Sequence, residues 1–333
     1  MHIALEKAAS TTLQASLAAA ADDLLAAGIA FPRIGERRGK VQRALNDALH
    51  GDAAARDLMR DTLAALAARR DVDTLVLSGE TLSTFGPGTL RAFLDEAGWR
   101  DAPLTAVAIV REPAGWLNSY YAFAASLFRE TRPFAAFVQR ALRRGTVTWD
   151  SVFAPWIEAD EAAFVAVPLA ARDDPRSVVT RTLDAMGLAD APVAVAAARN
   201  EAVDPRTVEA ARRLAAYRLP QPRGERQRLR RRLFETAEAA GFTGRFQGLD
   251  PRLAATIDAA CRTGNDRFAQ RVWGAPWAAV NAAPERAGLV PNEWRGGARN
   301  SADEAAIAHV VAAVSGAAGL ERRRFAGLSA MWR

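Results

Sequence analysis

The residues best suited to chemistry lie near the start of the chain, in the run Glu6-Lys7-Ala8-Ala9-Ser10-Thr11-Thr12. A β-like run precedes it and a helical pattern follows, so the segment is a strand-to-helix turn. The first amides of a helix have no intrahelical partner, and the helix dipole is positive there, which makes such a turn an anion site. Lys7 adds a full positive charge and Ser10, Thr11 and Thr12 add hydroxyl donors. Helix capping alone accounts for neither the lysine nor three successive hydroxyls. Of the 44 Lys and Arg residues only Lys7 and Lys40 are lysine. A compact ammonium retained among so many guanidinium groups suits a site where charge develops on a leaving oxygen. The run is not a Walker A sequence, because no glycine precedes Gly28 and the lysine comes before the hydroxyls rather than directly against them.

The elements that must position these residues follow from hydropathy. Residues 2–5 read as a short strand, and 11–27 as a helix with Leu13, Leu17, Leu24 and Leu25 on one face, stopped by Gly28. A loop carrying Arg37, Arg38, Gly39 and Lys40 precedes helices over about 41–50 and 53–69. Residues 74–78 read as a second buried strand ending at Gly79 and Glu80, and 105–110 as a third that runs into Arg111-Glu112-Pro113. Proline suits a first helical turn, so a helix is expected from there to about Phe128. A fourth strand, 163–167, ends at Pro168. Short apolar strands alternating with helices predict an α/β fold: a parallel sheet covered by helices, with ligands bound beyond the strands' carboxyl ends. That edge comprises Glu6 to Thr12, Ser78 to Glu80, Arg111 to Ser119 and the segment after Pro168. After about residue 190 the chain reads as mostly helical, with helices near 251–272 and 303–318, a Gly- and Arg-rich linker over 285–303, and a basic tail. The expected division is one α/β domain over 1–284 and a linker with a helical C-terminal extension over 285–333.

Composition narrows the function. The chain has 333 residues, half of them hydrophobic and a quarter charged, which is ordinary for a globular protein and unlike a disordered one. No apolar run reaches the roughly 20 residues that a membrane-spanning helix needs. There is no basic segment followed by an apolar stretch at the start, so a cytoplasmic location is the default expectation. One cysteine, Cys261, and three scattered histidines (His2, His50, His309) supply neither an internal disulfide nor a metal cage, and no metal is expected.

These corners resemble those of sulfotransferases that use 3′-phosphoadenosine 5′-phosphosulfate (PAPS), particularly the bacterial branch. In that family the first strand enters a loop like His-Ile-Gly-x-x-Lys-Thr-Gly-Thr-Thr-x-Leu-Gln. This chain has His2-Ile3-Ala4-Leu5-Glu6-Lys7-Ala8-Ala9-Ser10-Thr11-Thr12-Leu13-Gln14. A second family hallmark is a strand ending in Arg with a Ser eight residues later on the next helix. Arg111-Glu112-Pro113-Ala114-Gly115-Trp116-Leu117-Asn118-Ser119-Tyr120-Tyr121 reproduces it. Weaker likeness continues through Ser78-Gly79-Glu80 and Asn265-Asp266-Arg267-Phe268-Ala269, so the resemblance spans roughly residues 1–275. Ala4, Ala8 and Ala9 depart from it, standing where the family has Gly, Thr and Gly. Alanine at 9 resists a left-handed backbone and sets a methyl group against the phosphate path, so either the loop takes a shape alanine tolerates or cofactor binding suffers.

The resemblance implies a P-loop-like α/β sulfotransferase that moves a sulfuryl group from PAPS to a hydroxyl or amine, of a carbohydrate for example, and releases PAP. It assigns Lys7 and the loop from Ala8 through Ser10, Thr11 and Thr12 to the phosphosulfate, and Arg111 with Ser119 to the 3′-phosphate. Glu80, at the end of the second strand, is the first choice for the base that takes the acceptor's proton, with His50 as the alternative. A nucleotide-dependent phosphotransferase and a non-catalytic PAP- or glycan-binding relative remain as other readings. The basic run Arg226, Arg228, Arg230, Arg231 and Arg232 reads first as a solvated helix face, and without interleaved aromatic residues it does not form a nucleic-acid platform. Arg295-Gly296-Gly297 offers a further phosphate loop, and Trp116, Trp149 and Trp156 read as core ahead of an acceptor-cleft lining. Acceptor identity and oligomeric state are not encoded in any of these patterns.

Overall fold

The computed structural model describes residues 1–3, 5–34, 42–80, 82–197, 202–217, 219, 223–282, 285–294 and 301–320. Ala4, the Arg37–Lys40 loop, Arg295-Gly296-Gly297 and the basic tail lie outside the described residues. The described chain divides into two compact, interleaved units. The first comprises Met1–Trp116, Gly145–Asn200 and Asp258–Pro284, and the second Leu117–Arg144, Glu201–Ile257 and Glu285–Arg333. The expected boundary at 284/285 coincides with a segment end, and the C-terminal segment joins the second unit together with two earlier stretches.

The first unit has the expected α/β character. Strands β1 (His2–Ile3), β4 (Ser78–Gly79), β5 (Thr105–Val110) and β6 (Ala163–Pro168) form a parallel sheet in the order β4-β1-β5-β6. Its centre is β5, whose run Ala106, Val107, Ala108, Ile109 and Val110 is buried throughout, as both faces of a covered parallel strand require. One face is closed by α1 (Ser10–Ala19), α2 (Ala21–Ala26) and α9 (Val178–Ala185), where Leu13, Leu17, Leu24, Val179 and Leu183 cluster with Ile109. The opposite face carries Phe164, which packs on Phe153 of α8 (Trp149–Ile157) and Phe268 of α12 (Pro251–Trp273). Residues 106 and 164 are in register, and 106 and 109 differ in parity, so these layers cover different faces.

Two sequence expectations are corrected here. Residues 74–78 are not one strand: β3 (Thr74–Leu75) pairs with β2 (Ile29–Ala30) in a separate two-stranded sheet, and only β4 joins β1. Between them Gln42 makes the transition, its Nε2 donating to the Val76 carbonyl at 3.1 Å and its Oε1 accepting from the Ser78 amide at 2.6 Å. The helix expected over 11–27 is also divided, with Ala20 between α1 and α2. The neighbouring helices α3 (Arg43–Leu49) and α4 (Ala53–Ala67) fall close to their expected places. The short α5 (Pro87–Glu96) leads towards β5, and α6 (Pro113–Ser126) leaves it.

The second unit is helical. It contains most of α6, α7 (Phe134–Arg143), α10 (Pro205–Leu214), α11 (Arg223–Ala239), the start of α12 and α14 (Ser301–Ala317). Ile307, Val310, Val311 and Val314 of α14 pack with Leu214, Leu229, Leu233 and Phe242, so this helix completes the unit's core. The segment before it is anchored too: Glu293 accepts from the Tyr121 hydroxyl at 3.0 Å and from the Phe134 amide at 2.7 Å. The arginine run lies on α11, where Arg230 stacks on Phe234 and Arg232 donates to the Ala317 carbonyl.

Candidate anion-binding site

Parallel pairing fixes where the two sequence-selected corners lie. Ile3 pairs with Gly79 and His2 with Val107, so β1, β4 and β5 leave the sheet at the same edge. Arg111 follows β5 on one side of β1, and Glu80 follows β4 on the other. The structure therefore brings the Lys7–Thr12 loop, Glu80 and Arg111 together at the carboxyl edge.

The loop has an unusual backbone. Lys7 and Ala9 both have positive φ, 69° and 60°, in the left-handed region that disfavours residues with a side chain. The expectation for Ala9 is corrected: the alanine occupies a glycine-like conformation. Ala8 is buried in the apolar cluster of Leu13, Leu17 and Ile109, and the half-buried Ala9 packs against it, which helps hold the strained shape. Ala9 is the N-cap of α1 and supplies no side-chain cap, and the first turn carries no acidic residue. The Ser10 hydroxyl is buried, with the residue 2% exposed, and has no hydrogen-bond partner among the described residues. Buried hydroxyls are rarely left this way. Thr11 is exposed and Thr12 half-buried.

At the second corner Arg111 is half-buried, and Glu112 Oε2 accepts from the Gly115 amide at 2.8 Å, capping α6. A Cβ on Gly115 would lie 1.9 Å from Glu112 Oε1 and 3.2 Å from Arg111 Nη2, so both side chains converge over this glycine. Any side chain at this position would have to displace the Glu112 carboxylate.

Three tryptophans hold the loops that leave the edge. The Trp116 indole donates to the Glu6 carbonyl at 2.9 Å, Trp149 to the Arg111 carbonyl at 3.0 Å, and Trp156 to the Ser83 carbonyl at 3.4 Å. Trp116 and Trp149 meet edge to face, their ring centres 5.6 Å apart. All three are buried, as expected of core residues. Their second task was not read from the sequence. The signal was present in Trp116, placed in the first turn after Arg-Glu-Pro, where an indole can reach the neighbouring strand exit.

Beneath the edge lies a buried polar network. Ser78 Oγ is 2.8 Å from His2 Nδ1 and accepts from Gln14 Nε2 at 3.2 Å. Burial lowers the His2 pKa to about 3, so its ring is neutral at ordinary pH, and Nε2 has no partner among the described residues. Gln14 thus links α1 to β4 under the loop.

The remaining site residues are placed differently. Glu80 is half-buried immediately after β4. His50 is exposed at the end of α3, its Nδ1 donating to the Asn46 carbonyl at 2.7 Å and its ring edge-on to Phe85. Ser119 is half-buried, two turns along α6 in the stretch that belongs to the second unit. Among the described residues no helix is long and apolar enough to cross a membrane. No family model, curated protein or solved structure matches the chain.

Proposed function

We propose that the protein is a sulfotransferase of the P-loop-like α/β type, transferring a sulfuryl group from PAPS to a hydroxyl or amine acceptor and releasing PAP. The observation that carries this reading is the buried Ser10 hydroxyl, which has no hydrogen-bond partner among the described residues, at the start of α1 where Ala9 supplies no side-chain cap, in the loop that holds Lys7 and on the edge where Arg111 also leaves the sheet. A dianionic group suits these donors.

When bound, PAPS supplies the sulfuryl group and a phosphate leaving group. The Lys7 ammonium and the first amides of α1, with Ser10 and Thr11 or Thr12, neutralise the charge that grows on the bridging oxygen as the sulfur–oxygen bond breaks. Arg111 grips the 3′-phosphate through its planar fork, with its backbone carbonyl already tied to Trp149. Glu80 takes the proton from the acceptor as its oxygen or nitrogen bonds to the sulfur. Positioning and charge stabilisation do most of the work, as in phosphoryl transfer.

Calorimetry with PAP on the wild type, Lys7→Ala and Arg111→Ala tests the reading. Wild type should bind, and each variant should bind at least about tenfold more weakly, since a hydrogen bond to a charged group contributes about 1.5–3 kcal/mol. Absence of binding to all three removes the proposal. Magnesium-dependent ATP turnover would point to a phosphotransferase instead, and PAP binding without transfer to a non-catalytic relative.

A further inference from the structure

The loop's strained backbone needs something to hold it, and the structure places one group where it can do so. A trans peptide sets its carbonyl and its N–H on opposite sides. With the Glu6 carbonyl turned to the Trp116 indole, the Lys7 N–H is directed away from that indole. Rotating the Glu6–Lys7 peptide by half a turn changes ψ of Glu6 and φ of Lys7 together. It would return Lys7 from φ 69° to the negative values an L-residue prefers, so relaxation of Lys7 and loss of the Trp116 bond are the same motion.

We propose that Trp116 is a positioning residue: by holding the Glu6 carbonyl, its indole N–H fixes the Glu6–Lys7 peptide and so the left-handed backbone from which Lys7 and the start of α1 address an anion. Three features make the indole suited to this. Trp116 is only 7% exposed, so water competes poorly for the carbonyl. Its ring is braced edge to face by Trp149, which itself donates to the Arg111 carbonyl, so one aromatic pair sets both corners. An indole has one donor and no acceptor, so it cannot serve the flipped peptide by accepting from the Lys7 N–H.

The ligand part of this inference rests on the PAPS reading; the hold on Lys7 does not. The test replaces Trp116 by Phe, with Trp99→Phe as control, because Trp99 makes the same kind of bond to the Leu63 carbonyl at 3.0 Å. The first readout is the Lys7 backbone in the ligand-free protein, seen as the strong intraresidue amide-to-Hα NOE that positive φ produces. The second is PAP affinity. Trp116→Phe should lose the strong NOE and bind PAP about tenfold more weakly, a loss near that of one hydrogen bond, whereas Trp99→Phe keeps both. If Trp116→Phe does not fold, the benzothienyl analogue of tryptophan keeps the ring shape without the N–H and takes its place. A folded variant in which Lys7 keeps positive φ overturns the proposal. If wild type binds no PAP, the cofactor reading fails while the NOE still decides the role of Trp116.

Discussion

Replacing Ser10 by alanine should make the ligand-free protein more stable and the ligand-bound protein weaker. The hydroxyl is buried at the first position of α1 without a partner among the described residues, and a buried polar group left unsatisfied costs about 1–3 kcal/mol. Alanine removes that cost and has the higher helix propensity, by a few tenths of a kcal/mol. The expected gain is therefore about 1–3 kcal/mol in urea unfolding, seen as a higher midpoint with an unchanged slope. A serine that capped the helix would behave oppositely, since its loss costs about 0.5–2 kcal/mol. The sign of the change thus separates a hydroxyl kept for a ligand from one kept for the fold. Saturating PAP should shrink or reverse the difference between the two proteins, because only serine can donate to the bound anion, and affinity should fall about tenfold. A less stable Ser10→Ala protein, or one with undiminished PAP affinity, would refute the reasoning.

Three further outcomes follow. Ala9→Gly relieves about 1–2 kcal/mol of left-handed strain but gives back about 0.4–1 kcal/mol of chain entropy and some methyl packing, so stability should stay level or rise slightly. Ala9→Val should destabilise clearly, and equal effects of the two in a thermal melt would sink the strain argument. Glu80→Gln should cut sulfuryl transfer in a turnover assay far more than it weakens PAP binding in calorimetry; unchanged turnover eliminates Glu80 as the base. His2 keeps a folded-state pKa of about 3 because of burial, below its unfolded value, so the unfolded chain binds the extra proton between about pH 6.5 and 3. The stability it contributes is complete above about pH 6.5 and declines by about 1.4 kcal/mol per pH unit as pH falls through that window. His2→Gln should flatten the pH dependence of the urea midpoint there by one proton, and an unaltered slope would show that His2 is protonated without unfolding.

Much of the site was legible because it rests on local pattern. The unbroken apolar run of β5 and the Pro113 that follows it placed Arg111 at a strand exit, and the alternation of short strands with helices dictated parallel pairing. Once strands are parallel, residues that follow them share an edge, which is how Lys7, Glu80 and Arg111 come together. Ser119 came from the family pattern of a serine eight residues after the strand-end arginine, and His50 from the family's use of a glutamate or histidine as base. Neither says which compact unit a helix serves, or whether a ring ends beside its own helix, as His50 does at Asn46.

The class of the fold, the strand exits and the charge carried to them could be read along the chain, because burial periodicity and turn chemistry are local properties. Three features needed the folded chain: residues 74–78 serve two sheets, Ala9 takes a glycine-like backbone, and indole N–H groups hold the exits. Each depends on a partner distant in the chain. Gln42 reaches Val76 and Ser78, the apolar cluster receives the Ala9 methyl, and Trp116 reaches Glu6. A hydrogen bond or a packing contact of that kind has no periodicity, and it comes into existence only when the chain has closed on itself.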